Sequence, residues 1–269
     1  MSATYSLEPG EIYRLPSEEG SHDKNVDRPH VVVSPADQNE VLATFVYGTT
    51  SEVQARVYFA SHVAVPSTSS LFKVTGLRET TYFYPSRLVV CHAEDAGPVS
   101  GKLIDEFPEL RDRELPRAVG LGTGTCDGEG RARGSKRGRI VKFKPVFSKL
   151  IETGYGLVIT EPLYSNRSQI QNFIPIFDAR EFETVPPSIA VFDLDWVDQM
   201  PGLKGALLML PLVQSAYESD DIDSYLPNPV DMDTMNAVDE GLASRLFGAR
   251  LADVIGSSGD GDGGMLGSA

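Results

Sequence analysis

A run of three valines between two prolines constrains this chain more than any other stretch. The valines occupy positions 31–33 within the segment RPHVVVSP at 28–35. Consecutive β-branched residues bounded by prolines predict a short buried strand, because valine fits a pleated sheet and proline cannot continue a central ladder. Arg28 stands at the start of this strand, where a rigid scaffold would hold its guanidinium in a fixed position.

The N-terminal half of the sequence is predicted to contain many strands with no long helix between them. Segments rich in Val, Tyr, Phe and Thr occur at 10–15, 29–34, 41–50, 53–61 and 80–91. Such a series predicts a small, strongly curved sheet or barrel. The strand at 41–50 ends in the hydroxyl side chains of Thr49, Thr50 and Ser51, which we expect to meet Arg28 at one rim of the barrel.

Four segments of this part of the chain, in this order and spacing, resemble the MazF/PemK toxins, the growth inhibitors of type II toxin–antitoxin systems. The segments are GEIY at 10–13, EGSH at 19–22, RPHVVVS at 28–34 and GTTS at 48–51. Further on, a Gly-Leu pair at 76–77, a strand at 80–84 and then Arg87 stand where the family has its next strand. The resemblance covers residues 8–115 and implies an SH3-like barrel for that part of the chain.

The resemblance also implies a metal-independent endoribonuclease that cleaves single-stranded RNA and uses no cofactor. In such enzymes the 2′-hydroxyl of the RNA attacks the adjacent phosphorus, and a cognate antitoxin or another protein is the expected partner. Arg28 and Thr49 match the catalytic arginine and threonine of the family. The substrate-binding residues that we predict around them are His22, Lys24, Thr50, Ser51 and Arg87. Among these, His22 is the side chain suited to proton transfer.

The same residues have an ordinary structural interpretation as well. An arginine at a strand start often pairs with a carboxylate, here Asp23 or Asp27, and Thr-Thr-Ser is a favourable composition for a strand end. Family members commonly carry an acidic residue or glutamine just before the arginine that matches Arg87, whereas this chain has YPS at 84–86. The alternative function is a non-catalytic SH3-like barrel that binds a protein partner.

The net charge of −14 bears on the choice between these functions. An evenly spread negative charge would repel the phosphates of RNA. The charge is uneven, however, because acid concentrates at 94–114, 193–198 and 218–239, and base concentrates at 131–144. A local phosphate site is compatible with that distribution, while the acidic balance favours the binding-module alternative.

The second half of the sequence repeats the order of these signals. The segments at 138–143, 154–162, 170–177 and 202–212 follow one another as do those at 10–14, 28–35, 41–47 and 76–84. The chemistry is not repeated, because Gly154 and Tyr155 replace Arg28 and Pro29, and FDA at 177–179 replaces the threonine pair. We therefore predict a tandem of two related barrels, the second without a site, packed on each other as an intrachain pseudo-dimer.

The predicted fold is mainly β (α+β), with two tandem SH3-like barrels of the MazF/PemK/CcdB type and a C-terminal amphipathic helix. The predicted divisions are a first barrel at 1–118, a glycine- and arginine-rich linker at 119–137, a degenerate barrel at 138–256 and a tail at 257–269 that is disordered by composition. The helix is predicted over 231–255, with Asp231 or Asp233 as its N-cap and Gly256 at its end.

Features of membrane and secreted proteins are missing from the sequence. No stretch approaches the roughly eighteen consecutive apolar residues of a membrane span. The first residues lack the basic and apolar regions of a signal peptide. The two cysteines, Cys91 and Cys126, are too few for a disulfide scaffold or a zinc cluster. These observations predict a soluble cytoplasmic protein without a membrane partner.

Overall fold

The structure is a computed structural model, and it describes residues 6–15, 27–34, 42–52, 62–103, 108–121, 136–145, 151, 153–160, 163–164, 169–181, 190–193 and 197–254. Within these residues the chain is mainly β, with two antiparallel sheets and a helix near the C-terminal end. The predicted strand at 53–61, the glycine-rich segment at 122–135 and the tail from 255 onward lie outside the described residues.

The first sheet is built from the N-terminal half of the chain. Its strands are β1 (Glu11–Leu15), β2 (Arg28–Val32), β3 (Leu42–Thr49), β4 (Val63–Val65), β5 (Thr81–His92) and β6 (Gly101–Lys102). They lie side by side in the order β4-β5-β3-β2-β1-β6, each antiparallel to its neighbour. The valine run predicted as a buried strand is β2, whose Val31 and Val32 are fully buried.

The second sheet is built from the C-terminal half. Its strands are β7 (Arg139–Phe143), β8 (Tyr155–Val158), β9 (Leu163–Tyr164), β10 (Gln169–Asp178), β11 (Ala190–Asp193), β12 (Ala206–Leu210), β13 (Gln214–Tyr217) and β14 (Ile222–Pro229). The main order is β11-β12-β10-β8-β7-β14, and β9 and β13 also pair with β10. Strand by strand, this order matches that of the first sheet.

The registers of the two sheets agree as well. The equivalent pairings are Ile12–Val31 and Ile140–Leu157, and Val31–Val46 and Leu157–Ile174. Gly10 and Gly138 precede the first strand of each sheet with φ angles of 89° and 78°. The N–H of Gly10 donates to the carbonyl oxygen of Val32, and that of Gly138 to the carbonyl oxygen of Val158, each at 2.8 Å. Val32 and Val158 are the last residues of β2 and β8. The pairings therefore give each paired residue of the first sheet an equivalent residue in the second sheet.

Short helical segments connect the strands, and a longer helical stretch follows each sheet. The helices are 3-10 turns at Ser70–Thr75, Ala93–Asp95, Ala179–Glu181 and Val197–Gln199, a π-helix at Glu109–Glu114 that continues into α1 (Leu115–Ala118), and α2 (Met232–Phe247). The π-helix with α1 follows the first sheet, and α2 follows the second.

The C-terminal helix begins as predicted and ends earlier. Asp231 is its N-cap, and its carboxylate accepts the N–H of Thr234 at 2.7 Å. The prediction that the helix continues to residue 255 is wrong, because Gly248 ends it in a left-handed conformation with φ 63°. A separate helical turn follows at 251–254.

A hydroxyl group on β3 joins the first half to the second. Thr44 is fully buried, and its hydroxyl donates to the carbonyl of Pro211 at 3.0 Å. The same oxygen accepts the N–H of Val213 at 3.0 Å. Two backbone groups between β12 and β13 are thus satisfied by a side chain from the other sheet.

A second hydroxyl makes a similar contact in the reverse direction. Ser215 on β13 donates to the carbonyl of Ser86 at 3.0 Å and accepts the N–H of Leu88 at 2.7 Å. By register, Ser86 and Leu88 are the equivalents of the two residues that the Thr44 hydroxyl contacts, whereas Ser215 lies opposite Asn172, the equivalent of Thr44. In each half the same two backbone groups therefore bind a hydroxyl from the other half, and the two hydroxyls stand at neighbouring positions.

One hydrophobic core extends through both halves. Its buried side chains include Val31, Val46 and Phe83 from the first sheet, and Leu157 and Ile174 from the second. In the first sheet these residues alternate with others that point to the opposite face, since successive side chains of a strand point to opposite sides. The opposite face carries the polar side chains described next.

Candidate active site

The polar and aromatic side chains capable of chemistry lie on one face of the neighbouring strands β2, β3 and β5. Cross-strand partners lie on the same face of a sheet, as do residues two apart along a strand. The register pairs His30 with Tyr47, Tyr47 with Tyr84, and Thr49 with Tyr82. The residues on this face are Arg28 and His30 of β2, Tyr47 and Thr49 of β3, and Tyr82 and Tyr84 of β5. We refer to this set as the polar face.

The two residues predicted to be catalytic meet on this face. The Nη1 of Arg28 donates a hydrogen bond to the hydroxyl oxygen of Thr49 at 3.1 Å. Thr49 is completely buried, and its hydroxyl oxygen also accepts the N–H of Ser51 at 3.2 Å. Arg28 itself is half-buried. The hydroxyl therefore fixes the direction of a guanidinium that still reaches the surface.

His30 holds the backbone beneath the guanidinium of Arg28. Its side chain is 5% exposed, and its Nδ1 lies 2.9 Å from the carbonyl oxygen of Arg28. A carbonyl only accepts hydrogen bonds, so Nδ1 carries the proton in this contact. Burial, aided by the positive charges of Arg87 and Arg28 and opposed by this hydrogen bond, lowers the pKa of His30 to about 4. The imidazole is therefore neutral at pH 7.

A second guanidinium lies on the ring of Tyr47. The Cζ of Arg87 is 4.1 Å from the ring centroid of Tyr47, which is the geometry of a cation–π interaction. Tyr47 in turn stacks on Tyr84, with centroids 6.2 Å apart, and meets the edge of His30 at 5.4 Å. Because both Arg28 and Arg87 act on the charge of His30, the two cations belong to one electrostatic site.

The second half of the chain forms part of this site. Tyr47 and Tyr84 cluster with the buried Ile170 of β10, and Tyr217 of β13 packs against them. Tyr217 is held by Asp221, whose carboxylate accepts its N–H at 2.7 Å. The polar face is therefore closed on one side by residues of the second sheet.

Two aromatic side chains extend the polar face outward. Tyr82 is half-buried, and the exposed ring of His62 lies beside it, with centroids 5.5 Å apart and planes at 69°. His62 is also 6.3 Å from the ring of Tyr84. His62 and Tyr82 therefore form an open corner next to Thr49, which pairs with Tyr82 across the strands.

The structure describes five of the seven predicted site residues. Arg28, Thr49 and Arg87 belong to the cluster, and Thr50 and Ser51 follow directly after β3, Thr50 exposed and Ser51 half-buried. The remaining two, His22 and Lys24, lie outside the described residues.

Two histidines of the site were not predicted from the sequence. His30 occupies the variable position of the R-P-x-V-V motif, two residues after Arg28 and so on the same face. That spacing was a usable signal. His62 is brought in by the pairing of β4 with β5, in which Ala64 lies opposite Tyr82. No strand was predicted at 63–65, so this pairing was not expected.

The equivalent positions of the second sheet carry no polar side chain. In place of Arg28, His30, Tyr47, Thr49, Tyr82, Tyr84 and Arg87, the registers put Gly154, Gly156, Pro175, Phe177, Leu207, Met209 and Leu212. Phe177, Met209 and Leu212 form a buried apolar cluster with Val90, against which Leu42 packs. A hydrophobic contact thus occupies the place of the polar face.

Polar residues just beyond this contact pair with each other. Asp178, the equivalent of Thr50, accepts hydrogen bonds from the guanidinium of Arg180 at 3.0 Å. These bonds hold the pKa of the Asp178 carboxyl well below its usual range. The pair closes the end of β10, and the Arg180 guanidinium also donates to the carbonyl of Gly202 at 3.1 Å.

Comparisons with known proteins assign no family to the chain. No protein-family model matches it, and no curated protein sequence matches it. Among the described residues there is no group of three or more His, Cys, Asp or Glu side chains that could hold a metal ion. None of the helices in the described part of the chain has the length and apolar character needed to cross a membrane.

Proposed function

We propose that this protein is a cytoplasmic, metal-independent endoribonuclease of the MazF/PemK type that cleaves single-stranded RNA at the polar face. One observation carries the proposal: Arg28 donates to the buried hydroxyl of Thr49 at 3.1 Å, although the two residues are far apart in sequence. The family resemblance predicts these two residues as the catalytic pair. An arginine fixed at a partly exposed position is suited to bind a phosphate, because the guanidinium presents parallel donors to two oxygens.

The proposed reaction is an internal transfer at phosphorus. The 2′-oxygen of one nucleotide forms a bond to the adjacent phosphorus, and the bond from that phosphorus to the 5′-oxygen of the next nucleotide breaks. The 2′-hydroxyl proton leaves to a base, and the 5′-oxygen takes up a proton. The products are a 2′,3′-cyclic phosphate and a free 5′-hydroxyl, and no water is consumed.

Arg28 and Arg87 supply the electrostatic part of this reaction. Negative charge builds up on the non-bridging oxygens as the phosphorane forms, and fixed cations stabilise that charge more than they stabilise the ground state. Arg28 binds these oxygens, and Arg87 adds a second positive charge from the ring of Tyr47. Thr49 and His30 are positioning residues, since one fixes the guanidinium and the other the backbone of Arg28.

Proton transfer is assigned to His22, because histidine is the residue type suited to this step near neutral pH. His30 is unsuited to this step, because an imidazole with a pKa of about 4 is a weak base and its protonated form faces two guanidinium groups. His30 therefore acts through Arg28 and not on the RNA.

The fold that we propose is a pair of SH3-like barrels of the MazF/PemK/CcdB type, associated within one chain as a pseudo-dimer. Equal strand order and register, together with the two reciprocal hydroxyl contacts, support this arrangement. The apolar replacements in the second sheet support one site per chain. The net charge of −14 is then no obstacle, because the RNA needs only the local positive charge of this single site.

A second candidate function is the binding of a protein partner, such as an antitoxin. Within the described ranges, three large apolar side chains are exposed: Leu71, Val74 and Val99, with Val74 at 55% and Val99 at 52%. They belong to adjoining segments, since a Cβ placed on Gly101 would lie 2.3 Å from the carbonyl oxygen of Val74. Exposed apolar side chains that adjoin one another are typical of surfaces that bind proteins.

The test of the endoribonuclease is cleavage of a mixed pool of single-stranded RNA by the purified protein in the presence of EDTA. We expect fragments with 2′,3′-cyclic phosphate ends, and no cleavage of a DNA pool of the same length. Intact RNA, with the protein folded and able to bind a protein partner, would replace the endoribonuclease with the binding module.

A further inference from the structure

We propose that His62 and Tyr82 form a nucleobase-binding corner beside the phosphate site, which receives a base of single-stranded RNA next to the cleaved bond. This inference rests on the proposed function, because it takes the Arg28–Thr49 pair as the phosphate site. It adds a subsite that neither the sequence motif nor the phosphate chemistry requires.

The first observation that supports this subsite is the position of Tyr82. Tyr82 lies directly opposite Thr49 in the antiparallel pairing of β3 and β5, where Cα atoms are about 4.5–5.5 Å apart. Both side chains point to the polar face. The ring of Tyr82 therefore adjoins the phosphate site. The distance between them suits a base on the ribose next to the bound phosphate.

The second observation is the exposure of the His62 and Tyr82 rings. The neighbouring Tyr84 is fully buried and Tyr47 is 9% exposed, so these rings serve as the floor of the cluster. Tyr82 is only half-buried and His62 is exposed, although both rings are apolar enough to pack inward. Open aromatic faces beside a cationic groove are the usual means by which proteins bind single-stranded nucleic acids.

The third observation is the angle between the two ring planes. At 69° the planes of His62 and Tyr82 form two walls of a corner, with centroids 5.5 Å apart. A planar base that stacks on Tyr82 presents its edge to the imidazole. The imidazole both donates and accepts hydrogen bonds in its neutral form, so it can select among base edges. Tyr82 then supplies affinity, and His62 supplies preference for particular bases.

The second half of the chain provides an internal comparison. The equivalent of Tyr82 is Leu207, which pairs across the strands with Phe177, the equivalent of Thr49. An aromatic ring therefore occurs at this strand position only in the half that carries the two arginines. This coincidence is expected of a binding residue and is not needed for a core contact.

The experiment uses the full chain and single-stranded 2′-O-methyl RNA, which cannot be cleaved by 2′-oxygen attack. One base at a time is replaced by 2-aminopurine, whose fluorescence is quenched when it stacks. We expect quenching at one position on binding, loss of this quenching and about tenfold weaker binding for Tyr82→Leu, and retention of both in Tyr82→Phe. His62→Ala should retain quenching but reduce the difference in affinity among the four bases at that position.

Tyr225→Leu is the matched control, because Tyr225 is a half-buried tyrosine of the second sheet. It should leave the quenching unchanged. Equal quenching in the wild-type protein and Tyr82→Leu would overturn the corner, as would failure of the wild-type protein to bind any oligonucleotide. Binding with Tyr82-dependent quenching but no cleavage of ordinary RNA would support the corner and contradict only the endoribonuclease.

Discussion

The guanidinium of Arg28 and the hydroxyl of Thr49 are joined by a 3.1 Å hydrogen bond between adjacent strands. The hydroxyl is buried and the guanidinium reaches the surface. A charged side chain that would otherwise sample many rotamers is thereby held in one direction, and the entropy of ordering it is lost on folding and not on binding.

Replacing Arg28 by alanine should lower the rate of RNA cleavage by roughly 10²–10³, the usual effect of removing one electrostatic stabiliser of a transition state. Single-turnover kinetics at saturating protein will separate this effect from weaker binding. Arg180→Ala is the control, because Arg180 follows β10, the equivalent of β3 in the second sheet, and lies outside the polar face. A similar loss in both variants would show that general positive charge, and not the fixed arginine, is responsible.

Replacing Thr49 by valine should reduce the rate by about tenfold, less than the loss of the arginine, because a neutral hydroxyl only positions the guanidinium. Thr49→Ser keeps the oxygen and should retain most of the activity. The expected signature is a fall in kcat larger than any rise in KM. If the serine variant is as slow as the valine variant, the packing of the methyl group matters more than the hydrogen bond.

The protein should lose stability as the pH falls from about 6.5 to about 4, in part through His30. The pKa of His30 is lowered to about 4 in the folded state, so between the two values the unfolded chain binds a proton that the folded chain does not. The stability that His30 contributes is fully present above the ordinary histidine pKa of about 6.5 and decreases below it. At pH 5 the free energy of unfolding should be lower by about 2 kcal/mol for this reason. Urea unfolding at pH 7 and pH 5 measures it.

His30→Asn provides the comparison for that measurement. The asparagine amide can donate to the carbonyl of Arg28 in place of Nδ1, but it does not titrate. The difference between the wild type and this variant should therefore shrink from pH 7 to pH 5. A difference that is constant over this range would mean that His30 is readily protonated in the folded protein.

Replacing Thr44 by valine should destabilise the protein by about 1–3 kcal/mol, because a buried carbonyl and a buried N–H lose their partner. Ser215→Ala should have an effect of the same order, because the backbone of Ser86 and Leu88 loses the same kind of contact. Because one hydrophobic core spans both halves, we expect a single unfolding transition in each variant. Two separated transitions in circular dichroism and fluorescence would show that the halves fold independently.

Much of the strand pattern could be predicted from local signals. The valine run of β2, the aromatic and β-branched residues of β3 and β5, and the repeated order of signals in the second half correspond to strands of the structure. The Arg28–Thr49 pair followed from the family resemblance. These features depend on residue type and on order along the chain, and both are visible in one sequence.

Other features depend on contacts that leave no local signal. The corner of His62 and Tyr82 forms because β4 pairs with β5, and Tyr217 reaches the site only because the two sheets pack together. The end of α2 was missed for a different reason. Gly241, Gly248 and Gly256 all follow its start, and the sequence does not indicate which of them takes the left-handed conformation.

The second-sheet positions test whether the molecule has one site. Tyr155→Phe and Asp178→Asn should leave the cleavage rate per folded molecule unchanged, because the polar face has no counterpart around them. Asp178→Asn should lower stability, since the carboxylate that accepts from Arg180 is lost. A loss of rate without a loss of stability in either variant would indicate a second active site.

The most direct test of the central claim is cleavage of one RNA oligonucleotide that carries a single 2′-deoxyribose at the mapped cleavage position. With EDTA present, we predict that the all-ribose oligonucleotide is cut to a 2′,3′-cyclic phosphate and a 5′-hydroxyl, and that the substituted one is bound but not cut there. Mass spectrometry of the fragments distinguishes the products. Cleavage of the substituted position, or a linear phosphate formed directly, would contradict attack by the 2′-hydroxyl at the Arg28–Thr49 site.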